Sequence, residues 1–205
     1  MKIVKIVITG GPCGGKSTIV PLIKEEVEKL GFYVIQIPET ATQLILNGIA
    51  PWTCRSNQEY HLYQMILQME KERIYEMAAC SMPYDKILMM YDRGLMDSTV
   101  YMNDAESEWV FNQLNMDKPS VFNRYDAIFH LETCAKSHPE FYSLENNPAR
   151  IETVEKACAV DDKTIQAWNQ HDSHYIIPGY ADFREKADAF IKVLSTYLKE
   201  NSYIC

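Results

Sequence analysis

The sequence predicts a three-layer α/β fold in which a parallel sheet of five strands lies between two layers of helices. Short apolar runs alternate along the chain with segments of helical spacing, and a glycine-rich motif joins the first run to the first helical segment. This alternation indicates parallel strands connected by helices that cover both faces of the sheet. Ligands of such sheets bind at the carboxyl ends of the strands, so the polar residues there are the first candidates for function.

The predicted elements alternate regularly along the chain. We expect strands at residues 2–9, 32–37, 86–91, 127–131 and 175–177. Helices are expected from the glycine motif to a stop at Gly31, over residues 58–80, after Gly94 to about Leu114, and from Asp182 onward. The second of these helices carries an apolar stripe that is expected to pack in the core: Leu62, Met65, Ile66, Met69 and Met77.

Residues 10–18, GGPCGGKST, match the pattern G-x-x-x-x-G-K-[ST], and we call this segment the phosphate loop. Its glycines allow close wrapping around phosphates, while backbone N–H groups and the helix N-terminus favour negative charge. Lys16 is expected to reach the β- and γ-phosphates, which makes it a catalytic candidate, and the Ser17 hydroxyl to ligate Mg²⁺. A chance glycine turn is the alternative, but the flanking strand and helix argue against it. The motif predicts a P-loop NTPase fold whose nucleotide-binding residues are Gly10, Gly11, Pro12, Cys13, Gly14, Gly15, Lys16, Ser17 and Thr18.

Three candidate catalytic residues follow predicted strands. Asp92 is placed where an acid facing the Mg²⁺ of a phosphate loop is expected, and Arg93 is placed to neutralise the transferred phosphate. Glu39 follows the second strand, where a carboxylate would act as general base or orient an acceptor hydroxyl. Less specific roles remain open: a turn or cap for Asp92, a surface salt bridge for Arg93, and a helix cap for Glu39.

Two further residues are candidates for the acceptor pocket. Asp97 and Tyr101 are four residues apart in the expected helix after Gly94, so they are predicted to share one of its faces. Together with Glu39 they form the predicted substrate-binding set. Tyr101 fits a plain core position equally well.

Residues 133–150 are polar, lack periodicity and contain prolines and asparagines, as is typical of a mobile lid that closes over a nucleotide. Arg150 at its end is predicted to contact the phosphates. An ordinary surface loop with a solvated arginine is the alternative.

Length, charge and cysteine content narrow the functional class. The 205 residues are expected to form one domain with the lid inside it. A net charge of −8 argues against a nucleic-acid partner, no apolar run has the length of a membrane span, and we expect a cytoplasmic protein that is a monomer or small homo-oligomer. The six cysteines show no metal spacing; Cys13 is interpreted as a small filler of the loop, with a redox-sensitive thiol as the alternative.

Several runs beyond the phosphate loop resemble those of one family, the compact AAA-domain P-loop ATPases of kinase-like type, which are related to nicotinamide-riboside and other nucleoside kinases. The resemblance covers nearly the whole chain. It implies Mg²⁺-dependent nucleotide binding on a parallel sheet of nucleoside/nucleotide-kinase-like topology. The residues that carry it are 6–12, Pro38-Glu39, Asp92-Arg93-Gly94 with Asp97 and Tyr101, 129–133, Tyr142, 147–152, Trp168 with His171, and Asp182-Phe183 with Lys186.

Two functions are consistent with these features. The first is a phosphotransferase that moves the γ-phosphoryl group of ATP to a small acceptor, with Glu39 on the acceptor side and Asp92 on the metal side. The second is a nucleotide-binding switch or slow NTPase that acts through a protein partner. The sequence does not name the acceptor, and GTP remains open beside ATP.

Overall fold

The computed structural model describes residues 1–142 and 153–204. Its five-stranded parallel sheet has the order β2-β3-β1-β4-β5, which confirms the predicted α/β fold. The strands are β1 (Lys2–Thr9), β2 (Tyr33–Ile37), β3 (Lys86–Asp92), β4 (Ala127–Leu131) and β5 (His174–Ile177). The helices are α1 (Lys16–Lys29), α2 (Thr40–Leu46), α3 (Asn57–Ser81), α4 (Asp104–Leu114), α5 (Lys118–Phe122), α6 (Cys134–Ser137), α7 (Val154–Trp168) and α8 (Phe183–Glu200), and two 3₁₀ helices span Leu95–Tyr101 and Pro139–Phe141.

The core has two parts, one on each face of the sheet. On one face, α1 and α8 pack against alternate residues of β1 such as Ile6 and Ile8. On the other face, α3, α4, α5 and α7 pack against residues that include Val7 of the same strand. Because successive side chains of a strand point to opposite faces, β1 contributes to both parts and lies at the centre of the three layers.

The helical region expected after Gly94 is present and ends at Leu114 as predicted, but it is not one continuous helix, and the apolar stripe expected on α3 was wrong in part. The region after Gly94 is a 3₁₀ helix followed by α4, since Met102 leaves helical geometry and Asn103 caps the new helix. In the stripe predicted on α3, Met65 is fully buried, but Ile66 and Met77 are 45% and 60% exposed. The buried residues of α3 also include polar ones, among them Gln64 and Gln68.

Helical spacing alone did not reveal these polar contacts, because they depend on elements distant in sequence. Gln64 donates to Ser98 of the 3₁₀ helix, and Gln68 donates to the carbonyl oxygen of Arg93. Within the described residues, no helix is long and apolar enough to cross a membrane.

Candidate phosphate and acceptor site

The phosphate loop connects β1 to α1 through backbone conformations that favour glycine. Gly10 has a φ of 138°, and a side chain there would collide with the carbonyl oxygen of Leu131 in β4. Gly15 has a φ of 85° and precedes α1 without any side-chain cap. Because Gly15 has no side chain, no side-chain oxygen caps the first N–H groups of α1, an arrangement that suits an anion.

The outer side of the loop is held by three residues from other elements. Asp161 of α7 accepts a hydrogen bond of 2.8 Å from the N–H of Gly11, and Thr133 donates its hydroxyl to the carbonyl of Pro12. Lys186 of α8 donates to the carbonyls of Gly14 and Glu132 at 2.8 and 2.6 Å. The contacts with Gly11, Pro12 and Gly14 each span more than a hundred residues of sequence, so no local pattern predicted this support.

Asp161 is the centre of a buried network behind the loop. It lies 3.0 Å from the Nε2 atom of His130, and its second oxygen forms an ion pair of 2.7 Å with Lys136. Its side chain is fully buried. Burial opposes ionisation, but the contacts with His130, Lys136 and the Gly11 N–H outweigh it and lower the pKa of Asp161 to about 2. The carboxylate is thus a fixed negative charge that positions the loop.

On the inner side of the loop, Lys16 lies over two carbonyl oxygens. Its Nζ atom is 2.8 Å from Gly10 O and 2.9 Å from Gly11 O, and a guanidinium nitrogen of Arg93 is 3.2 Å from the same Gly10 oxygen. Burial and the charge of Arg93 lower the pKa of Lys16 to about 7. Two cations converge where the motif predicts phosphate.

Arg93 is part of the interior rather than of a surface salt bridge, so that alternative was wrong. Its side chain is 15% exposed and pairs with Glu39 at 2.6 Å and with Asp97 at 3.3 Å. Its backbone has a φ of 69°, a left-handed conformation that is rare for arginine. Hydrogen bonds from its N–H to Ile8 and from Gln68 to its carbonyl hold this conformation and direct the side chain over the loop.

Glu39 precedes α2 but does not cap that helix. One carboxylate oxygen accepts from Arg93 and the other accepts from the Thr42 hydroxyl at 2.7 Å, and no backbone N–H of α2 is capped by the side chain. Burial favours the neutral acid, but Arg93 and Thr42 outweigh it and lower the pKa of Glu39. The residue is therefore an anion on the side of Arg93 away from β1, and the capping role considered above does not hold.

Asp92 is the last residue of β3 and lies beside Ile8 of β1 in the sheet register. Burial, followed by the charge of Glu39, raises its pKa. Its carboxylate forms no hydrogen bond with the residues that the structure describes. The Asp92 carboxylate and the hydroxyl of Ser17, the second residue of α1, are oxygen donors of the kind that fits Mg²⁺. In the same described part, no group of three or more acidic, histidine or cysteine side chains forms a separate metal site.

The two predicted acceptor residues do not share a face. Asp97 is 3% exposed and accepts hydrogen bonds from the Thr9 hydroxyl, the Gly94 N–H at 2.9 Å and the Trp168 ring at 3.1 Å, in addition to its ion pair with Arg93. Tyr101 is 45% exposed. A 3₁₀ helix has three residues per turn, so a spacing of four rotates the second side chain away from the first.

Tyr60 of α3 is a residue that the sequence did not single out. Its side chain is buried, and its hydroxyl has no hydrogen-bond partner in the described residues. Burial, with the nearby Glu39 carboxylate second, raises its pKa to about 12. The ring of His61 lies against it at 5.0 Å and is stacked on Tyr101 at 6.2 Å. A tyrosine in a run of helical spacing is normally read as core, so no sequence signal separated it from the core residues.

The predicted lid lies partly outside the described residues. Residues 133–142 are described, and they include the short helix α6, which the expectation of an aperiodic segment missed. Thr133 starts this helix by capping it and also bonds to the phosphate loop. Arg150 and the rest of the predicted lid up to it fall outside the described part of the chain, so the contact of Arg150 with phosphate stays a prediction.

The fold and the site together define the class of this protein, a P-loop protein of kinase-like topology. A comparison with protein families identifies the family within that class. A family model described as an AAA domain matches residues 5–186, and the chain belongs to that family. Among curated proteins, no significant match was found.

A comparison of folds agrees with this class. The chain is similar to the structure of deoxyadenosine kinase from M. mycoides with bound dATP, with a TM-score of 0.57 and 14% sequence identity. The similarity covers 94% of this chain and 99% of the kinase chain. At this identity the comparison shows a shared nucleoside-kinase fold, and with the family it defines a nucleotide-binding, kinase-like P-loop protein.

Proposed function

We propose that the protein is a Mg²⁺-dependent phosphotransferase that transfers the γ-phosphoryl group of ATP to a hydroxyl or phosphate group of a small acceptor. The observation that carries this proposal is the position of Glu39. This partly buried carboxylate lies 2.6 Å from Arg93, which donates to the same carbonyl oxygen of Gly10 as Lys16 does. Phosphoryl transfer needs cations around the phosphate and a carboxylate on the acceptor side. The cations are Lys16 and Arg93, and the carboxylate is Glu39. Lys16 is nearest the loop, Arg93 comes next and Glu39 is farthest out.

The proposed mechanism assigns a separate task to each side chain. Lys16 exchanges its two carbonyl partners for phosphate oxygens, and the loop N–H groups bind the same phosphates. Bound Mg²⁺, held by Ser17 and Asp92, would neutralise charge on the phosphates. Arg93 moves part of its hydrogen bonding from Glu39 to the transferred group, which frees Glu39 to accept the proton of the acceptor hydroxyl.

We propose that the acceptor lies between Glu39 and the aromatic side chains of α3 and the 3₁₀ helix. The unpartnered Tyr60 hydroxyl supports this, because a buried donor without a partner is costly and a polar ligand would satisfy it. Asp97 then acts by positioning Arg93 rather than by touching the acceptor.

A nucleotide-binding switch or slow NTPase, using ATP or GTP, remains the second candidate. It is favoured by the lowered pKa of Glu39, since a carboxylate held by an arginine is a weak proton acceptor. This candidate requires tight nucleotide binding without transfer to any small molecule.

Two isosteric variants test the first proposal against the second. An acceptor is first sought by following ADP formation from Mg-ATP in the presence of nucleosides and other small hydroxyl compounds. We expect Glu39→Gln to retain ATP binding and lower transfer by about 10²–10⁴-fold, as for a lost general base. Asp92→Asn should weaken Mg²⁺-dependent binding as well as turnover.

Glu108→Gln is the matched control, since Glu108 is an exposed residue of α4 and its variant should behave as wild type. Full transfer by the Glu39→Gln variant would remove Glu39 as the base. Tight binding with no stimulation of ADP formation by any acceptor would favour the switch.

A further inference from the structure

Two thiols meet where the phosphate loop contacts α6. Cys13 is the fourth residue of the loop and has a φ of 56°, and Cys134 is the first residue of α6. The backbone N–H of Cys134 points to the carbonyl of Cys13 at 3.5 Å, so the two residues lie side by side. Their side chains interact closely enough for Cys13 to contribute to the raised pKa of Cys134. Both residues are partly exposed and neither is in a disulfide.

We propose that Cys13 and Cys134 form a reversible disulfide that switches nucleotide binding off. The oxidant is a peroxide. The Cys13 sulfur attacks one peroxide oxygen and breaks the O–O bond, and the departing hydroxide takes the proton of the Cys13 thiol, which yields a sulfenic acid and water. The sulfur of Cys134 then attacks the Cys13 sulfur and displaces hydroxide, which takes the Cys134 proton. Two thiols and one hydrogen peroxide thus give one disulfide and two water molecules.

The surroundings of the pair assign the two roles. Burial, with the neighbouring Cys13 second, raises the pKa of Cys134, so this residue is the poorer first nucleophile and acts as the resolving thiol. Cys13 is partly exposed in the phosphate loop. The remaining cysteines of the described chain lie on other elements: Cys54, Cys80 and Cys158.

The bond changes the loop because it brings the Cys13 and Cys134 sulfur atoms closer together, at a residue whose backbone has a φ of 56°. A disulfide sets the sulfur atoms about 2.05 Å apart, nearer than two thiols in contact. The opposite side of the loop cannot follow freely, since Asp161 holds Gly11 and Lys186 holds Gly14. Pulling Cys13 towards α6 between these two anchors therefore distorts the arrangement of N–H groups that binds phosphate. This step rests on the proposed nucleotide site, whereas formation of the bond does not.

The first experiment maps the bond. The full-length protein is treated with hydrogen peroxide, remaining thiols are alkylated, and peptides are identified by mass spectrometry without reduction. We expect a peptide pair that joins Cys13 to Cys134 and that dithiothreitol separates. Cys134→Ser should abolish it, and Cys80→Ser, at an exposed position of α3, should leave it unchanged. Absence of the pair, or random pairing among all cysteines, would overturn the proposal.

The second experiment measures Mg-ATP binding by titration before and after oxidation. We expect oxidation to weaken binding by about tenfold or more in wild type, a change of about 1.4 kcal/mol. Binding by Cys134→Ser should be insensitive to peroxide, and dithiothreitol should restore binding to wild type. Equal affinities of the cross-linked and reduced forms would overturn the switch. A reduced protein that binds no nucleotide would contradict the proposed function and the switch, while the mapped bond would still stand.

Discussion

Lys16 and Arg93 donate to the same acceptor, the carbonyl oxygen of Gly10, at 2.8 and 3.2 Å. The Lys16 ammonium and the Arg93 guanidinium are therefore both held against one neutral oxygen in a partly buried site. Burial and the charge of Arg93 lower the pKa of Lys16, so the site disfavours a second positive charge until an anion arrives. This relationship makes the affinity for phosphate dependent on pH.

Binding of a triphosphate at pH 8 should take up protons. Without ligand, Lys16 has a pKa of about 7 and is mostly neutral at pH 8, whereas bound phosphate favours its charged form. Affinity should accordingly fall as the pH rises above about 7. Calorimetric titrations with Mg²⁺-free nucleotide in two buffers of different ionisation enthalpy measure the uptake. Lys16→Arg provides the control, because arginine keeps its proton and any residual binding should occur without uptake. Binding heats of wild type that are independent of the buffer would contradict the assignment.

Lys16→Ala should abolish stabilisation by nucleotide while the ligand-free protein still folds, since the lysine lies at the predicted ligand site and donates to two loop carbonyls. In wild type, Mg-ATP at about 100 times its Kd should add about 2.7 kcal/mol to the free energy of unfolding. Thermal unfolding with and without Mg-ATP measures this. An unchanged shift in the variant would show that nucleotide binds elsewhere.

Asp97→Asn should destabilise the protein, because both carboxylate oxygens accept hydrogen bonds and asparagine has only one acceptor oxygen. One oxygen accepts from the Gly94 N–H and the Trp168 ring, and the other accepts from Arg93, so the new NH₂ group faces a donor at either position. A buried donor left without an acceptor costs about 1–3 kcal/mol, and loss of the pair with Arg93 adds to this. Urea unfolding measures the change. Asp188→Asn, on the exposed side of α8, is the matched control and should shift the free energy of unfolding by less than about 0.5 kcal/mol. Equal stabilities of the two variants would mean that Asp97 is not a structural anchor.

Asp161→Asn should destabilise the protein at pH 7 but progressively less below pH 4. The folded-state pKa of Asp161 is about 2, below the ordinary value of 3.8, so its ionised form stabilises the fold at higher pH. That contribution, roughly 2 kcal/mol from the size of the shift, is lost as the pH falls from about 4 to about 2. Unfolding by urea across this range, compared between wild type and variant, measures it. A difference that does not vary with pH would contradict the assigned charge.

Much of the fold was predictable because it depends on local patterns. The runs that form β1 and β4 have the expected bounds, and the other strands differ from expectation by one residue at an end. Gly31, predicted to stop α1, follows that helix with a φ of 84°. Helix α2 was missed because its seven residues are too few to show a helical period clearly.

The phosphate loop and the order of strands and helices were determined by the sequence itself, since glycine positions and apolar spacing act over a few residues. Only the tertiary structure decided the tasks of the charged side chains. Asp97 is an interior anchor because it accepts hydrogen bonds from Thr9 and Trp168, which lie near opposite ends of the chain. Glu39 pairs with Arg93, which is 54 residues away in sequence. Asp161 supports Gly11 across 150 residues. The charge state and accessibility of a carboxylate depend on what packs around it, and those neighbours come together only when the sheet forms.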